Sequence, residues 1–306
     1  MMKMKKGIAL LVTVLFIMAI TVAIGIGLKQ VKVASLNVEN ENFMFQVSTV
    51  VEDVLNILDA SKELEQVAHN KSSAELFAFI SSVSFLSLEN SGLKVNIHIN
   101  SARSTVNVNA LINTDGHTIN ANRVNALKEY LSKYRVNSGY VDILLDVMRG
   151  IREDRGYDSA IFNDKPYLYR DYIVSQKHLD EVNDFYMKTY HDNNLKNIDF
   201  TQLFYFSNDK NIFIDLNYAT EQIWDMMIGC DKEKAQQLAS YGGTYTSLDA
   251  LSLSDKEKLA LAKFQTSFFE PFLDVVITIT QNYQYAKIRF EYNIRTKKGS
   301  NFVYEI

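Results

Sequence analysis

The segment KKGIALLVTVLFIMAITVAIGIGL, residues 5–28, decides how the rest of the chain is interpreted. Two lysines and a glycine are followed by 21 residues without a charge, Ile8–Leu28. At about 1.5 Å per residue, a helix of this length measures roughly 31 Å, about the thickness of a bilayer core. The lysines precede the apolar run, so the positive-inside rule places the N-terminus in the cytoplasm. We therefore predict one transmembrane helix over 8–28, with the body of the protein on the far side of the membrane.

Other kinds of N-terminal segment also begin with lysines and an apolar run. A cleavable secretory signal has a shorter apolar region, of about 7–15 residues, followed by a small-x-small cleavage site. Here Lys29 ends the run without a convincing site of that kind. A plain signal anchor, which is never cut, stays open as an alternative.

The stretch Lys5-Lys6-Gly7-Ile8-Ala9-Leu10-Leu11 resembles the leader of type IV pilin-like proteins. The resemblance implies a leader over 1–7, cut by a prepilin peptidase between Gly7 and Ile8, and a methylated Ile8 at the new N-terminus. Most such subunits carry Glu at the fifth mature position, where this chain has Val12. A buried carboxylate is costly unless it is paired. A subunit without it suits a position at the tip, where no further subunit docks above it.

The 278 residues that follow Leu28 are enough for one large or two modest domains. A hydrophobic content of 47% and only two prolines indicate a folded body. Cleavage would remove three of the 32 basic residues, leaving 29 against 36 acidic residues and a net charge of −7. This balance argues against a nucleic-acid partner. The single cysteine, Cys230, excludes an intrachain disulfide, and we predict it as a small apolar side chain in a helix.

Residues 29–118 are predicted to contain a stalk helix and the first strands of a sheet. Apolar residues recur at three- and four-residue steps from Val31 to Leu58, and neither Pro nor Gly interrupts the chain from Leu28 to Gly92. This pattern predicts one helix continuing from the anchor into the body. The alternating runs 93–100 and 105–112 then predict a hairpin whose asparagines face solvent.

The rest of the body is predicted to be helical and then to return to strands. The predicted helices are Arg123–Tyr134, Tyr140–Arg152, Ser175–Tyr190, Thr220–Ile228 and Lys232–Ser240. We predict an all-α domain over 119–263, inserted into an α+β domain with a pilin-like antiparallel sheet. In 264–306, the alternating runs Val275–Thr280 and Ala286–Ile294 predict a hairpin that completes the sheet begun by residues 93–112.

The segment 215–251 carries a more specific resemblance. Asp215-Leu216-Asn217-Tyr218-Ala219-Thr220, then Gly229, then Tyr245–Leu251 follow the order of a helix entry, a glycine and a later helix in the type II secretion protein K family. Together with Val12 and the large body, this segment makes the chain resemble that family of minor pseudopilins over nearly its whole length. Asn217 or Thr220 can cap the helix that follows, and Gly229 suits its end.

The same segment faintly resembles a helix-hairpin-helix, a unit that often holds DNA backbones. The DNA-binding version needs a glycine-rich hairpin with Lys or Arg nearby, whereas Gly229 is alone and Asp231 lies beside it. We therefore interpret 215–251 as a surface for protein packing.

Motifs for catalysis are weak. The five histidines are scattered, and no nucleophile elbow, Walker loop or dinucleotide-binding glycine motif occurs. We predict no enzymatic activity. Asp154, Asp158 and Asp164 could supply oxygen ligands to Ca²⁺, and the family resemblance also allows a bound calcium. Neighbouring basic residues would oppose a cation, so a solvated acidic loop is the alternative.

The resemblance implies a non-catalytic minor pseudopilin at the tip of a type II secretion pseudopilus, which initiates assembly and supports protein export across the outer membrane. Its partners would be other minor pseudopilins, the prepilin peptidase and the inner-membrane secretion platform. It would cross the inner membrane once, with a cytoplasmic N-terminus and a periplasmic body. A minor pilin or pseudopilin of a DNA-uptake or type IV pilus system stays open, as does a signal-anchored periplasmic enzyme or sensor.

Overall fold

A computed structural model describes residues 39–90, 92–150 and 156–305. The predicted leader and anchor, residues 1–28, lie outside these ranges. Within them, no helix combines the length and the apolar composition needed to cross a bilayer. The described chain is a mixture of helices and strands, with a five-stranded antiparallel sheet as its largest β-element. We call the described part of 102–271, which lies between the second and the seventh strand, the helical lobe.

The described helices are α1 (39–60), α2 (Lys62–Asn70), α3 (Ser73–Val83), α4 (Ala121–Lys133), α5 (Gly139–Met148), α6 (Ile161–Asp164), α7 (Gln176–Tyr190), α8 (Glu221–Ile228), α9 (Lys232–Ser240) and α10 (Asp255–Leu261). The described strands are β1 (Phe85–Asn90), β2 (Leu93–Ser101), β3 (Val106–Asn107), β4 (Phe204–Tyr205), β5 (Ile214–Asp215), β6 (Thr266–Ser267), β7 (Phe272–Gln281), β8 (Gln284–Asn293) and β9 (Lys298–Glu305).

The stalk helix predicted by the apolar pattern up to Leu58 is present in the described residues as α1, which ends at residue 60, and its predicted continuity with the anchor lies outside them. The chain breaks twice, and each break is set by a serine that caps the next helix. The Ser61 hydroxyl accepts a hydrogen bond from the Leu64 amide at 3.3 Å, and the Ser72 hydroxyl accepts one from the Glu75 amide at 3.2 Å. Serine competes for backbone amides in this way, so it can start a new helix without Pro or Gly.

The large sheet has the strand order β1-β2-β7-β8-β9, with every neighbouring pair antiparallel. Strand β2 pairs with β7, and Ile97 lies opposite Ile277. The prediction that the run 93–100 and the C-terminal strands share one sheet is therefore confirmed. The β7–β8 hairpin is also confirmed, with a shorter turn than predicted, in which Asn282 takes a left-handed φ of 54°.

The predicted hairpin between 93–100 and 105–112 is wrong. Strand β2 pairs instead with β1, an edge strand that the sequence analysis did not predict, and β9 forms the opposite edge. After the two residues of β3, Val108–Leu111 forms a buried 3₁₀ turn inside the helical lobe. Asn107 and Asn109, predicted to face solvent, are buried. Alternation of apolar and polar residues indicates a strand with two different faces, but it does not identify the strand that pairs with it.

Two separate hydrophobic clusters stabilise the described chain. In the first, α1 to α3 pack against the large sheet, and the helix α1 contributes side chains at steps of three and four, namely Phe43, Val47, Val51, Val54 and Leu58. The second lies within the helical lobe and includes Trp224, which is fully buried. The sequence therefore folds around two cores that meet at the ends of β2, β7 and β8.

Helices predicted for the lobe appear close to their expected positions. Those predicted from Arg123, Ser175, Thr220 and Lys232 correspond to α4, α7, α8 and α9. The helix predicted from Tyr140 ends as α5 at Met148. The region 119–263 is not purely helical, since β4 pairs with β3 and β5 pairs with β6 in short parallel ladders.

The start of α1 and the helical lobe lie at opposite ends of the sheet. The Gln284 side-chain amide donates to Asn40 at 2.7 Å, which places the first described turn of α1 beside the β7–β8 turn. At the other end, the Ala102 amide donates to the Phe272 carbonyl at 3.0 Å where the chain enters the lobe. The ten residues of β7 separate these ends by about 30 Å.

Candidate functional site

The residues predicted to be processed lie outside the described part of the chain. These are Gly7 and Ile8 at the predicted cleavage bond and Val12 at the position of the missing glutamate. Their roles remain predictions from the sequence.

One of the three predicted calcium ligands lies outside the described residues, so the calcium site stays a prediction. Asp154 lies in 151–155, which is not described, while the Asp158 carboxylate is 3.9 Å from the Arg149 guanidinium. Asp164 lies in α6. Among the described residues, no three His, Cys, Asp or Glu side chains are placed to hold a metal ion.

A carboxylate that the sequence analysis missed organises this loop. Asp146 is fully buried in α5, and its side chain accepts hydrogen bonds from the Asp158 amide at 3.0 Å and the Ser159 amide at 2.6 Å. The Ser159 hydroxyl donates to the same carboxylate at 2.7 Å. Because three donors converge on it, Asp146 acts as a backbone anchor for residues 158–159.

The α8–α9 hairpin is built as the sequence predicted at both ends of α8. The Thr220 hydroxyl accepts a hydrogen bond from the Ile223 amide at 3.2 Å, and Gly229 ends the helix with a left-handed φ of 65°. Cys230 is buried in the connection after Gly229, so its predicted place in a helix is wrong. Burial raises the pKa of its thiol to about 11, which keeps the thiol protonated and unreactive near neutral pH.

The charges around this hairpin do not suit a phosphate backbone. A groove of about 540 Å³ runs along α9, lined by residues that include Asp231, Glu233 and Lys234. The Lys234 ammonium is held by both carboxylate oxygens of Glu257 at 2.6 Å. Asp225, in the preceding helix α8, forms a salt bridge with Lys133. With its lysine already paired, the groove presents acidic side chains, which repel nucleic acid.

Asn217, one of two predicted helix caps, has a different role. Thr220 is the cap, and Asn217 is buried, where its side-chain amide connects two segments of backbone. Its Nδ2 donates to the Tyr245 carbonyl at 2.9 Å and to the Phe268 carbonyl at 2.8 Å, and its Oδ1 accepts from the Tyr245 amide at 2.8 Å. The segment 215–220, which carries the family resemblance, is therefore a buried structural joint.

Asn107 and Asn109 form a second joint of the same kind. Asn109 Nδ2 donates to the Ile173 carbonyl at 2.9 Å and to the Ser207 carbonyl at 3.1 Å, and its Oδ1 accepts from the Ile173 amide at 2.7 Å. Asn107 Nδ2 donates to the carbonyls of Ser207 and Asp209. These contacts explain why two polar residues of an alternating run are buried, since the lobe supplies backbone partners that a solvent-exposed hairpin would not.

A buried ion pair joins the lobe to the sheet. The Arg103 guanidinium donates to Glu291 Oε2 at 2.8 Å, and both side chains are 5% exposed. The guanidinium also donates to the Ala102 carbonyl at 3.0 Å and lies 4.0 Å from the centre of the Phe272 ring. Asn301 donates to the second oxygen of Glu291 at 2.7 Å. Sequence reasoning missed this pair because its members are 188 residues apart.

Asp215 is a buried carboxylate at the same junction between the lobe and the sheet. Among the described residues, it has no cationic hydrogen-bond partner. Its two oxygens accept from the Asn217 amide at 3.0 Å and the Glu270 amide at 2.9 Å, and its own amide donates to the Arg103 carbonyl. Burial raises the pKa of Asp215 to about 6 and also raises the pKa of the neighbouring Glu270. The junction is therefore held by buried polar contacts.

The raised pKa of Asp215 makes a pH-dependent contribution to the free energy of unfolding. Because the folded protein binds the Asp215 proton more tightly than the unfolded chain does, this contribution is present below pH 3.8 and is lost as the pH rises through about 6. A shift of this size corresponds to about 3 kcal/mol. We expect Asp215→Asn, which cannot ionise, to be more costly at pH 4.5 than at pH 7.5. The difference in urea midpoint between wild type and variant, followed by fluorescence at both pH values, measures this, and an unchanged difference would contradict it.

Apolar side chains that a partner could cover lie on the sheet half of the protein. On α1, Phe45 is 74% exposed and Ile57 is 69% exposed. The edge strands add two short groups, namely Phe85, Leu86 and Leu88 on β1, and Phe302, Val303 and Tyr304 on β9. Exposed apolar groups on a helix and on sheet edges are typical of protein interaction surfaces.

No protein-family model matches the chain, and no curated protein matches it. Among solved structures, the chain is similar to a chain of the GspK-GspI-GspJ complex from the type 2 secretion system of enterotoxigenic Escherichia coli. The match covers 85% of this chain and 97% of that chain, with 13% sequence identity and a TM-score of 0.48.

Proposed function

We propose that this protein is a non-catalytic minor pseudopilin at the tip of a type II secretion pseudopilus. The placement of the helical lobe carries the proposal. The first described turn of α1 lies at one end of the sheet and the lobe at the other, about 30 Å away. With residues 8–28 as a membrane anchor, the lobe is the part of the protein farthest from the membrane, where a tip subunit would meet partners or cargo.

Exposed apolar side chains of α1 support lateral packing as the mode of assembly. Phe45 and Ile57 are exposed on the helix that follows the predicted anchor, while other side chains of the helix are buried against the sheet. In this proposal, residues 8–28 and the exposed side chains of α1 pack beside other minor pseudopilins. The prepilin peptidase and the inner-membrane secretion platform are the other partners. The protein crosses the inner membrane once, with its N-terminus in the cytoplasm and its body in the periplasm.

The buried polar groups of the lobe and of its junction with the sheet support a structural role for the body. The side-chain amides of Asn107, Asn109 and Asn217 donate hydrogen bonds to backbone carbonyls, and Arg103 is paired with Glu291. A signal-anchored enzyme would instead need polar groups free to reach a substrate. The proposal assigns the asparagines the task of holding the segments of the lobe together, and the Arg103–Glu291 pair that of joining the lobe to the sheet.

Processing by prepilin peptidase is the first test. Co-expression with the peptidase should yield a chain that starts at Ile8, lacks seven residues and carries a methyl group if the peptidase also methylates. Intact mass and N-terminal sequencing measure this. Retention of Met1 with and without an active peptidase would identify a plain signal anchor and refute the proposal.

Two controls make the test specific. Gly7→Leu should block cleavage because the peptidase site requires glycine before the scissile bond, whereas Gly27→Leu, a matched change at the far end of the apolar run, should leave cleavage intact.

To separate protein export from DNA uptake, a strain lacking this chain is assayed for both. Loss of exported protein with normal DNA uptake supports the secretion assignment, and the reverse favours the DNA-uptake alternative.

A further inference from the structure

The helix α1 carries a phenylalanine on its solvent-exposed side. Phe45 is 74% exposed and belongs to neither hydrophobic cluster. Val47 and Val54, which are buried against the sheet, follow it after two and nine residues, and at about 3.6 residues per turn both lie about half a turn away from Phe45. Phe45 therefore points away from the core, and the described fold gives this large aromatic side chain no packing role.

Three polar residues lie on the same side of α1. Glu41 precedes Phe45 by four residues, Glu52 follows it by seven, and Asn56 follows it by eleven. These spacings come close to whole turns, so all three lie within about 40° of Phe45 around the helix axis. All three are exposed. We call Glu41, Phe45, Glu52 and Asn56 the outer stripe, which is about 22 Å long at about 1.5 Å per residue.

The outer stripe is acidic and has no counter-charge on its own helix. Residues 39–60 include five acidic residues and neither lysine nor arginine. Asp59, near the end of α1, lies 3.9 Å from the Lys297 ammonium. Glu41 and Glu52 form no ion pair with any described residue. Two carboxylates about 17 Å apart, on either side of an exposed phenylalanine, are therefore available to a partner that brings positive charge.

The direction of a neighbouring helix follows from the proposed function, on which this inference rests. Two subunits anchored in one membrane by N-terminal helices run in the same direction, so their stalk helices pack in parallel. A second copy of this chain at the same level would place Glu41 beside Glu41 and Glu52 beside Glu52, and like charges opposed across an interface suppress such a partner. A copy shifted along the axis brings no cation from its own α1, since α1 has none. The charge of α1 therefore favours a different subunit over a second copy.

We propose that the outer stripe binds a parallel helix of a different minor pseudopilin, which carries Lys or Arg on either side of an apolar position. The two basic residues lie eleven residues apart, to match Glu41 and Glu52, and the apolar position lies four residues after the first of them, to match Phe45. The buried aromatic ring is the anchor of this interface. The exposed ion pairs add little affinity, but they select the partner and fix its register along α1.

Photo-cross-linking from position 45 identifies the partner. The full chain is expressed in its native cells with p-benzoylphenylalanine in place of Phe45 or, as a matched control, in place of Tyr167, which is 70% exposed in the lobe. Mass spectrometry then identifies the cross-linked peptide. We expect position 45 to cross-link a different pilin-like subunit, several-fold more than position 167 does, through a helix with the predicted spacing of basic and apolar residues.

Charge reversal separates recognition by the outer stripe from mere proximity. Glu41→Lys combined with Glu52→Lys should reduce the cross-link from position 45 several-fold, because cations would then face cations. Glu129→Lys, an equal change at an exposed position of α4, should leave the yield unchanged. Replacing the two basic residues of the partner with Glu should restore the cross-link of the double Lys variant. The thermal midpoint of each variant is measured to establish that it folds.

Several results would overturn the inference. They are a cross-link to a second copy of this chain, a partner helix without basic residues at the predicted spacing, no cross-link from position 45, and a yield unaffected by the double charge reversal. The N-terminal residue of the chain from the same cells distinguishes this failure from that of the proposed function. A chain that starts at Ile8 but lacks the cross-link overturns this inference alone, whereas a chain that retains Met1 refutes the proposed function and the parallel packing with it.

Discussion

Replacing Arg103 with methionine is expected to lower the free energy of unfolding by about 3–5 kcal/mol, the range found when one partner of a buried ion pair is removed. Glu291 would remain 4% exposed, with Asn301 as its described side-chain donor and no cation to neutralise it. The guanidinium contact with the Phe272 ring would also be lost. Urea denaturation of the full chain, followed by the fluorescence of Trp224 in the lobe, measures this change.

A double-mutant cycle isolates the pairing from the change in packing. Glu291→Met alone should also destabilise the protein strongly, because it leaves the Arg103 charge buried. The double variant Arg103→Met/Glu291→Met should cost clearly less than the two single costs combined, because no charge then remains at the junction. Lys128→Met, which removes a half-exposed partner of Asp142, is the matched control and should cost about 1 kcal/mol or less. Additive effects at Arg103 and Glu291 would show that the pair is not coupled.

Asn217→Ala is expected to destabilise the lobe by about 3 kcal/mol or more, because each buried group left without a partner costs about 1–3 kcal/mol. The change leaves the amide and the carbonyl of Tyr245 without the side chain that now bonds both, while the Phe268 carbonyl keeps a hydrogen bond from the Ser73 hydroxyl. These groups lie on either side of α10, so the segments that frame this helix would separate first. Trp224 fluorescence in urea and proteolysis near Tyr245 provide the two measurements.

Two further variants show whether the geometry of the amide matters. Asn217→Asp keeps an oxygen for the Tyr245 amide but turns a carboxylate toward two carbonyls, so it should destabilise the lobe at least as much as Asn217→Ala at neutral pH. Asn211→Ala, at an exposed loop position, should change stability by about 0.5 kcal/mol or less. Similar costs for Asn211→Ala and Asn217→Ala would contradict the role of Asn217 as a joint.

The sequence predicted correctly those features that depend on interactions between residues close together in the chain. Thr220 caps α8 and Gly229 ends it in a left-handed conformation, because both effects depend on neighbouring backbone groups. The alternation in Val275–Thr280 and Ala286–Ile294 located a hairpin, because adjacent strands joined by a short turn pair with each other. The stalk helix predicted up to Leu58 ends as α1 at residue 60, and Ser61 and Ser72 then cap two further helices that the pattern did not predict.

The candidate site was only partly predictable. The segment 215–220 was singled out, but Asn217 was given the role of a cap, because the sequence does not show that Tyr245 and Phe268 come within reach of its amide. Asn107 was assigned to solvent for the same reason. A polar residue in an alternating run is exposed only if no other part of the chain covers it. Whether such a residue is covered depends on chain segments that are distant from it in sequence.

By itself, the sequence determined the apolar segment 8–28, the acidic balance of the body, and the approximate positions of α4, α5, α7, α8 and α9, because these depend on composition and short-range periodicity. Only the tertiary structure decided which strand lies beside β2, the pairing of Arg103 with Glu291, and the position of the lobe at the end of the sheet remote from α1's start. The physical reason is that these are contacts between distant residues. Their formation depends on the burial of two separate cores, and no local pattern specifies how two cores are joined.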